Sequence, residues 1–311
     1  MKMWRTPNHR RLAAFVACGL LLVALAARGG VSAARQRESV SSLDVRVSTA
    51  ARAMQPGEVV LVTARVSGPP DRVTGRTPAG PVHFYRTNDP LVWQALLGLD
   101  VSMKAGRLPL TVTAEADGTT ATTTKDLTVR PKRFDERRIT VDERFQRPPA
   151  GELPRIEREA KLLASIIAGL SPERLWSGPF RMPVPGGPTS AFGRVSIVNG
   201  RRGSPHSGID LKASVGTPVR APASGRVVLS ASLYYAGDAV IIDHGLGVIS
   251  TLVHLSVRRV AEGDMVMEGA VVGLSGATGR ITGPHLHWGM RIAGALVDPL
   301  SVVAVTRDPV T

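Results

Sequence analysis

The sequence predicts a mainly β protein: a small immunoglobulin-like β-sandwich, one connecting helix, and a second, all-β domain. Three observations carry that prediction. The chain holds 32 glycines and 23 prolines in 311 residues, a richness in turn formers that favours many short strands. Apolar segments of strand length recur on both sides of a charged middle stretch. Only one segment repeats its apolar residues at helical spacing.

A chain of this length is enough for two domains, each with a core of its own. At its start, Lys2, Arg5, Arg10 and Arg11 precede an apolar run over residues 12–27 and then Val31-Ser32-Ala33. This layout predicts a secretory signal cut after Ala33, with an uncleaved membrane anchor as the rival, since the run falls just short of the roughly 20 residues a span needs. Either way the bulk of the chain is expected to be exported, to the periplasm or cell envelope. Cys18, the one cysteine, lies inside the apolar run, so no disulfide or thiol chemistry is expected beyond it. Any metal there must be held by histidine and carboxylate. The net charge is +14, and +9 without residues 1–33. An exported basic protein suits an anionic envelope polymer or membrane surface better than nucleic acid.

The first expected domain covers residues 40–132. "GEVVLVTARV" and "RLPLTVTAEADGTTATTTKDLTV" read as strands, with Leu108, Leu110, Val112 and Ala114 alternating with polar partners before an Asp117-Gly118 hairpin turn. It carries His83 and no cluster of acids, so a positioning or binding module is expected. Residues 133–178 read as a charged, proline-bearing linker with a helix over about 155–170, its apolar face formed by Ile156, Leu163, Ile167 and Leu170. From residue 179 to 311 the strand pattern returns in "GRVVLSA", "DAVIIDHG", "GVISTLVHLS", "AVVGLSG" and "HLHWGMRI".

Five of the seven histidines fall in this last region: His206, His244, His254, His285 and His287. His206 and Asp210 in "HSGID" are four positions apart, which places both side chains on one side of an extended segment, and Gly208 between them disfavours a helix. His285 and His287 in "PHLHWGM" are two apart, one face of a strand. Three such ligands with a fourth position open to water make a catalytic zinc site, and a further histidine nearby can move the proton. His244 in "DHGLG" precedes glycines and reads as a structural turn residue.

"HSGIDL", "GTPVRAPASGRVV", "VIIDHGLGVISTLVHLS", "EGDMVMEGAVVGLSGATGRITGPHLHWGMR" and "VDP", in that order over about residues 180–302, closely resemble the LytM-like, lysostaphin-type zinc metallopeptidases of the M23 class, which cut peptide bonds in bacterial peptidoglycan. The resemblance implies a LytM-like fold for the C-terminal domain and Zn2+ held by His206, Asp210 and His287. It implies His285 as the general base toward the attacking water, and His254 as the group that orients the water or stabilises the oxyanion. Leu252 stands where the family often has tyrosine, and Gly289 where an acidic residue is frequent. The function expected is an exported zinc metalloendopeptidase acting on peptidoglycan peptides, with the upstream module positioning or occluding the groove. The rival readings are a non-catalytic envelope module, which binds the wall or activates another hydrolase, and a general secreted protease.

Overall fold

The computed structural model describes residues 42–140, 148–169 and 171–307. The expected signal or anchor segment and Leu170 lie outside the described residues. Among the described residues no helix is long and apolar enough to cross a membrane.

Eight strands come first: β1 (Val45–Ala51), β2 (Val59–Val66), β3 (Arg72–Thr77), β4 (Gly80–Val82), β5 (Phe84–Arg86), β6 (Val92–Gly98), β7 (Gly106–Ala116) and β8 (Thr119–Val129). They pair antiparallel in two sheets, β1-β2-β6-β5 and β4-β3-β7-β8. Val60, Val62 and Ala64 from the first meet Leu108, Leu110, Val112 and Ala114 from the second in one buried core, the alternation read from the sequence. The β7–β8 hairpin closes at Asp117-Gly118, where both residues take positive φ (47° and 73°), the backbone of a tight hairpin turn whose twist matches the strands.

Next come β9 (Glu136–Ile139), α1 (Leu153–Ala168), β10 (Pro188–Ser190), β11 (Val195–Val198), β12 (Arg201–Pro205), β13 (Gly208–Leu211), β14 (Pro218–Arg220) and β15 (Gly225–Leu233). The remainder is β16 (Gly237–Gly245), β17 (Val248–Arg258), β18 (Met265–Val266), β19 (Val271–Ser275), β20 (Leu286–Ile292), β21 (Ala295–Val297) and α2 (Pro299–Arg307). The main path of the large sheet runs β10-β13-β20-β17-β16-β15-β18, with β14, β19 and β21 paired onto it. β9 lies in the stretch read as linker and pairs in parallel with β11, which also pairs with β12. Its sequence, ERRI, is dominated by charge, and its first three residues are exposed, so alternation gives no strand signal.

The large sheet has two differently covered faces. Leu286, Trp288, Met290 and Ile292 of β20 point into a core with Val240, Ile242, Val248, Leu252 and Leu255. On the other face Ala239, Ile241, Ile249 and Val253 form a second cluster, against which Leu163, Ile166 and Ile167 of α1 pack. The helix therefore lies on the face that carries the side chains alternating with the core, and Ile166 joins the stripe read from the sequence.

Besides the connecting helix, the chain forms α2. Asp298 starts it, its Oδ1 accepting the Leu300 N–H at 3.0 Å, and Pro299 is its first residue. Val302, Val303 and Val305 of α2 share a core with Val59, Leu61 and Leu96 of the sandwich. The first sandwich sheet is thus buried on both sides, which accounts for the unbroken apolar run VVLV in β2. Arg52 bridges Glu58 and Asp298 beside this seam, and Lys132 lies 3.2 Å from Glu58. The Val59 N–H donates to Ser301 Oγ at 2.8 Å.

Candidate metal centre

The strand pair β13–β20 builds the centre. Asp210 lies opposite His287 in register, and Val253 of β17 flanks His287 on its other side. A Cβ on Gly208 would meet the Trp288 carbonyl oxygen at 2.2 Å, so only glycine lets β13 run this close to β20. His206 precedes β13 and folds back, with its Nε2 3.1 Å from Asp210 Oδ1 and 2.9 Å from His287 Nδ1. His287 Nδ1 is itself 3.0 Å from Asp210 Oδ1. Three ligands at about 2.0–2.1 Å from a tetrahedral zinc stand roughly 3.3 Å apart. The observed triangle is close to that, and it is the one group of three or more such side chains among the described residues that could hold a metal ion. Two imidazoles and a carboxylate are nitrogen and oxygen donors that suit zinc, and packed this tightly they converge on one point, so the donor set fits the group.

Each ring is oriented by its other nitrogen or by its neighbours. His206 Nδ1–H donates to the Ala191 carbonyl at 3.0 Å, which leaves Nε2 facing Asp210 and His287. His285 Nδ1–H donates to the Gly283 carbonyl at 2.8 Å, and its Nε2 is 3.5 Å from Asp210 Oδ1. His254 Nδ1–H donates to the Thr278 carbonyl at 2.9 Å. A carbonyl only accepts, so each of these three rings carries its proton on Nδ1 when neutral. The His254 ring centroid is 5.0 Å from that of His285 and 6.2 Å from that of His287.

His254 adopts φ 66°, a left-handed backbone that a non-glycine residue enters at a cost. It falls where the β16–β17 register shifts between the Val240–Leu252 and Asp238–Leu255 pairs. The bulge turns the imidazole out of the strand alternation and toward the centre.

Burial works to raise the Asp210 pKa, but hydrogen bonds and charge from His206 and His287 overcome it and hold the carboxyl well below the usual carboxylate range. For His206 burial acts downward and Asp210 more than offsets it, so its pKa is raised. Burial dominates at His287 and lowers its pKa despite Asp210. Burial likewise brings His254 down to about 4, against the bond to Thr278, so His254 is neutral at pH 7.

An open cavity of about 430 Å³ lies over the centre, lined by all five residues together with Tyr235, Ala236, Val253, Arg280, Ile281 and Thr282. A second, of about 210 Å³, runs between α1 and the sheet and reaches His287. The structure thus brings together His206, Asp210, His254, His285 and His287. His83 lies exposed in the sandwich, apart from them. His244 is no turn residue: it sits in β16, fully buried on the opposite face of the sheet, with both nitrogens hydrogen-bonded. The sequence reading did not single out Tyr235, Arg280 or the carbonyls of Ala191, Thr278 and Gly283. Gly276, Gly279 and Gly283, a run of turn formers just before "PHLHWGM", are the nearest sequence signal for them.

Residues 204–299 match the model of peptidase family M23. The DD-carboxypeptidase/endopeptidase Mpg of Neisseria meningitidis serogroup B is 48% identical over 103 residues, 33% of this chain and 24% of that protein. The peptidoglycan DD-endopeptidase ShyA of Vibrio cholerae is 41% identical over 100 residues, 32% of this chain and 23% of that one. The matched stretch therefore spans about a quarter of the length of these relatives. A crystal structure of a Pseudomonas aeruginosa protein described as a peptidase M23 is 30% identical, superposes with a TM-score of 0.63, and covers 82% of this chain and 96% of its own. Agreement at that level of identity over nearly the whole of the second protein shows that the chain belongs to peptidase family M23.

Proposed function

We propose that this protein is an exported zinc endopeptidase that hydrolyses peptide bonds of bacterial peptidoglycan, with His206, Asp210 and His287 holding the metal. One observation carries the reading: three ligand atoms meet within about 3 Å of one another, beside two further imidazoles whose Nε2 sides face the same cavity. The names of Mpg and ShyA support the substrate class, and the basic-apolar leader supports export to the envelope. When bound, zinc polarises a carbonyl and makes water acidic enough to ionise near neutral pH.

The chain's own side chains do the rest. His285, with Nδ1–H fixed on Gly283, accepts a proton at Nε2 from the attacking water and returns it to the leaving amine. His254, neutral and with Nδ1–H fixed on Thr278, also presents an acceptor at Nε2. An acceptor orients a water by taking its hydrogen, whereas an oxyanion needs a donor. Of the two roles the resemblance offers for His254, the geometry therefore favours the orientation of water. No sandwich residue lines the cavity over the centre, which supports a positioning role for that module over an occluding one.

The test is zinc analysis of the full chain together with digestion of purified peptidoglycan, followed by mass spectrometry of the released peptides, for wild type and His285→Ala. Stoichiometric zinc in both, with new peptide ends from wild type alone, is the expected result. Zinc in both with no cleavage by either would overturn the enzymatic reading in favour of a binding module.

A further inference from the structure

The second cavity, of about 210 Å³, lies between α1 and the sheet face that carries the candidate centre. Leu163, Ile166 and Ile167 of the helix line it together with Ile241 and Ile249 of the sheet. His287 lines this cavity and the one over the centre alike, so the two meet at a single ring. Its Nδ1 faces Asp210 and His206.

Gly289 leaves the space beside that ring unfilled. It lies two residues along β20 from His287, on the same face, opposite Gly208 of β13 and Thr251 of β17. A Cβ on Gly289 would lie 3.2 Å from the Ser207 carbonyl oxygen, 3.6 Å from His287 Nε2 and 3.8 Å from the Thr251 Cβ. Those three residues all line the second cavity, so a longer side chain at 289 would occupy its His287 side.

The helical wall is tied to the sheet. Glu159 of α1 accepts the Tyr234 N–H and the Arg155 Nε–H, both at 2.8 Å, and the Arg155 guanidinium donates to the Ser232 carbonyl at 3.4 Å. Tyr234 adjoins Tyr235 and Ala236, which line the cavity over the centre, so one loop positions the helix and a wall of the first cavity together. Arg291, the one Lys, Arg, Asp or Glu in the lining, gives its Nη1–H to the Gly294 carbonyl at 2.9 Å. The remaining surface is mostly aliphatic, which favours an uncharged apolar group. The volume suffices for one side chain, since an apolar cavity of about 150 Å³ already takes up benzene.

We propose that this cavity is a substrate subsite that receives the aliphatic side chain of a residue flanking the scissile bond, with α1 as its wall. The inference rests on the peptidase reading and adds to it a side-chain preference. It also gives a recognition role to a helix that lies outside residues 204–299, the stretch matched by the family model.

The probe is a set of synthetic cross-linked stem peptides with glycine, alanine, leucine or phenylalanine at one or the other residue flanking the cleaved bond. For wild type, kcat/KM should rise by about ten-fold or more from glycine to leucine at one of the two positions, since one methylene in an apolar pocket is worth about 10–200-fold. Ile167→Trp fills the cavity and should bring the leucine-to-glycine ratio to within about two-fold of one. Ile167→Ala enlarges it and should move the preference from leucine to phenylalanine. Zinc content and the circular dichroism spectrum report whether each variant is folded. No rise at either position in wild type, or an undiminished ratio in folded Ile167→Trp, would overturn the assignment. If Ile167→Trp does not fold, Ile167→Ala decides, and an unchanged order of preference counts against the subsite. Calorimetric binding of the glycine and leucine peptides to the zinc-loaded His285→Ala protein separates the subsite from the peptidase reading. If wild type cleaves none of the peptides, that reading fails, while tighter binding of the leucine peptide still supports the subsite and equal binding refutes it.

Discussion

Two hydrogen-bonded groups built around histidine occupy opposite faces of one sheet, four histidines on one and His244 alone on the other, and neighbouring residues of β20, His287 and Trp288, take part in one each. On the core face His244 is fully buried, Nδ1–H donating to the Ser224 carbonyl and Nε2 accepting from Ser250 Oγ, both at 2.9 Å. Ser250 in turn receives the Trp288 indole N–H at 3.4 Å. On the other face His254 and His285 each give one nitrogen to a backbone carbonyl and turn the second toward a cavity. Burial lowers the pKa of His244 and of His254 alike, to about 4. A depressed pKa therefore does not separate the two faces; the nitrogen that faces the cavity does.

The contrast breaks most sharply at the proposed metal ligands. Asp210→Ala should abolish stoichiometric zinc and lower peptidase activity by more than about 10³-fold, with the circular dichroism spectrum preserved. Retained zinc by elemental analysis would remove Asp210 from the ligand set. Next in size, His285→Ala and His254→Ala should keep zinc and lose about 10²–10⁴-fold in kcat, as expected for proton transfer and water orientation. A matching loss of zinc in either variant would make that residue a ligand instead.

On the core face the same kind of change should touch stability alone. His244→Leu should leave zinc content and kcat per folded molecule unchanged, and cost about 1–3 kcal/mol at pH 7.5 by urea titration, because the Ser224 carbonyl loses its donor. The pH dependence gives a smaller check. The folded pKa of His244, about 4, is below its ordinary 6.5, so the unfolded chain binds the extra proton first as pH falls. The stability tied to this residue is whole above pH 6.5 and drains as pH drops toward 4, by about 2 kcal/mol at pH 5. The gap between wild type and His244→Leu should narrow by that amount from pH 7.5 to pH 5, and a constant gap would count against it.

The centre was legible because its spacings survive as geometry: four residues across a glycine-containing turn into β13, two along β20, each a period that puts side chains on one face. The β7–β8 hairpin was legible for the same reason. Three features were not. α2 has the apolar, β-branched sequence SVVAV, which suits a strand equally well, and only the Asp298-Pro299 start marks a helix. β9 is held by its partner β11 and not by its own composition. His244 followed a turn pattern because Gly245 and Gly247 stand beyond it, while its burial depends on Phe180, Ser224 and Ser250, distant partners that no local pattern reveals.

The seam between α2 and the first sandwich sheet should make the two regions melt as one body. Trp93 reports on the sandwich core and Trp288 on the core beneath the metal centre, and the shared Val59, Leu61, Val302 and Val305 couple them. Their fluorescence should change at a single temperature, and two separate midpoints would show the coupling to be weak. A load applied to the sandwich would also travel. Val101 and Asp100 hydrogen-bond Leu296 of β21, β21 pairs with β20, and β20 carries His287, so the strand of the candidate centre is mechanically in series with the upstream module.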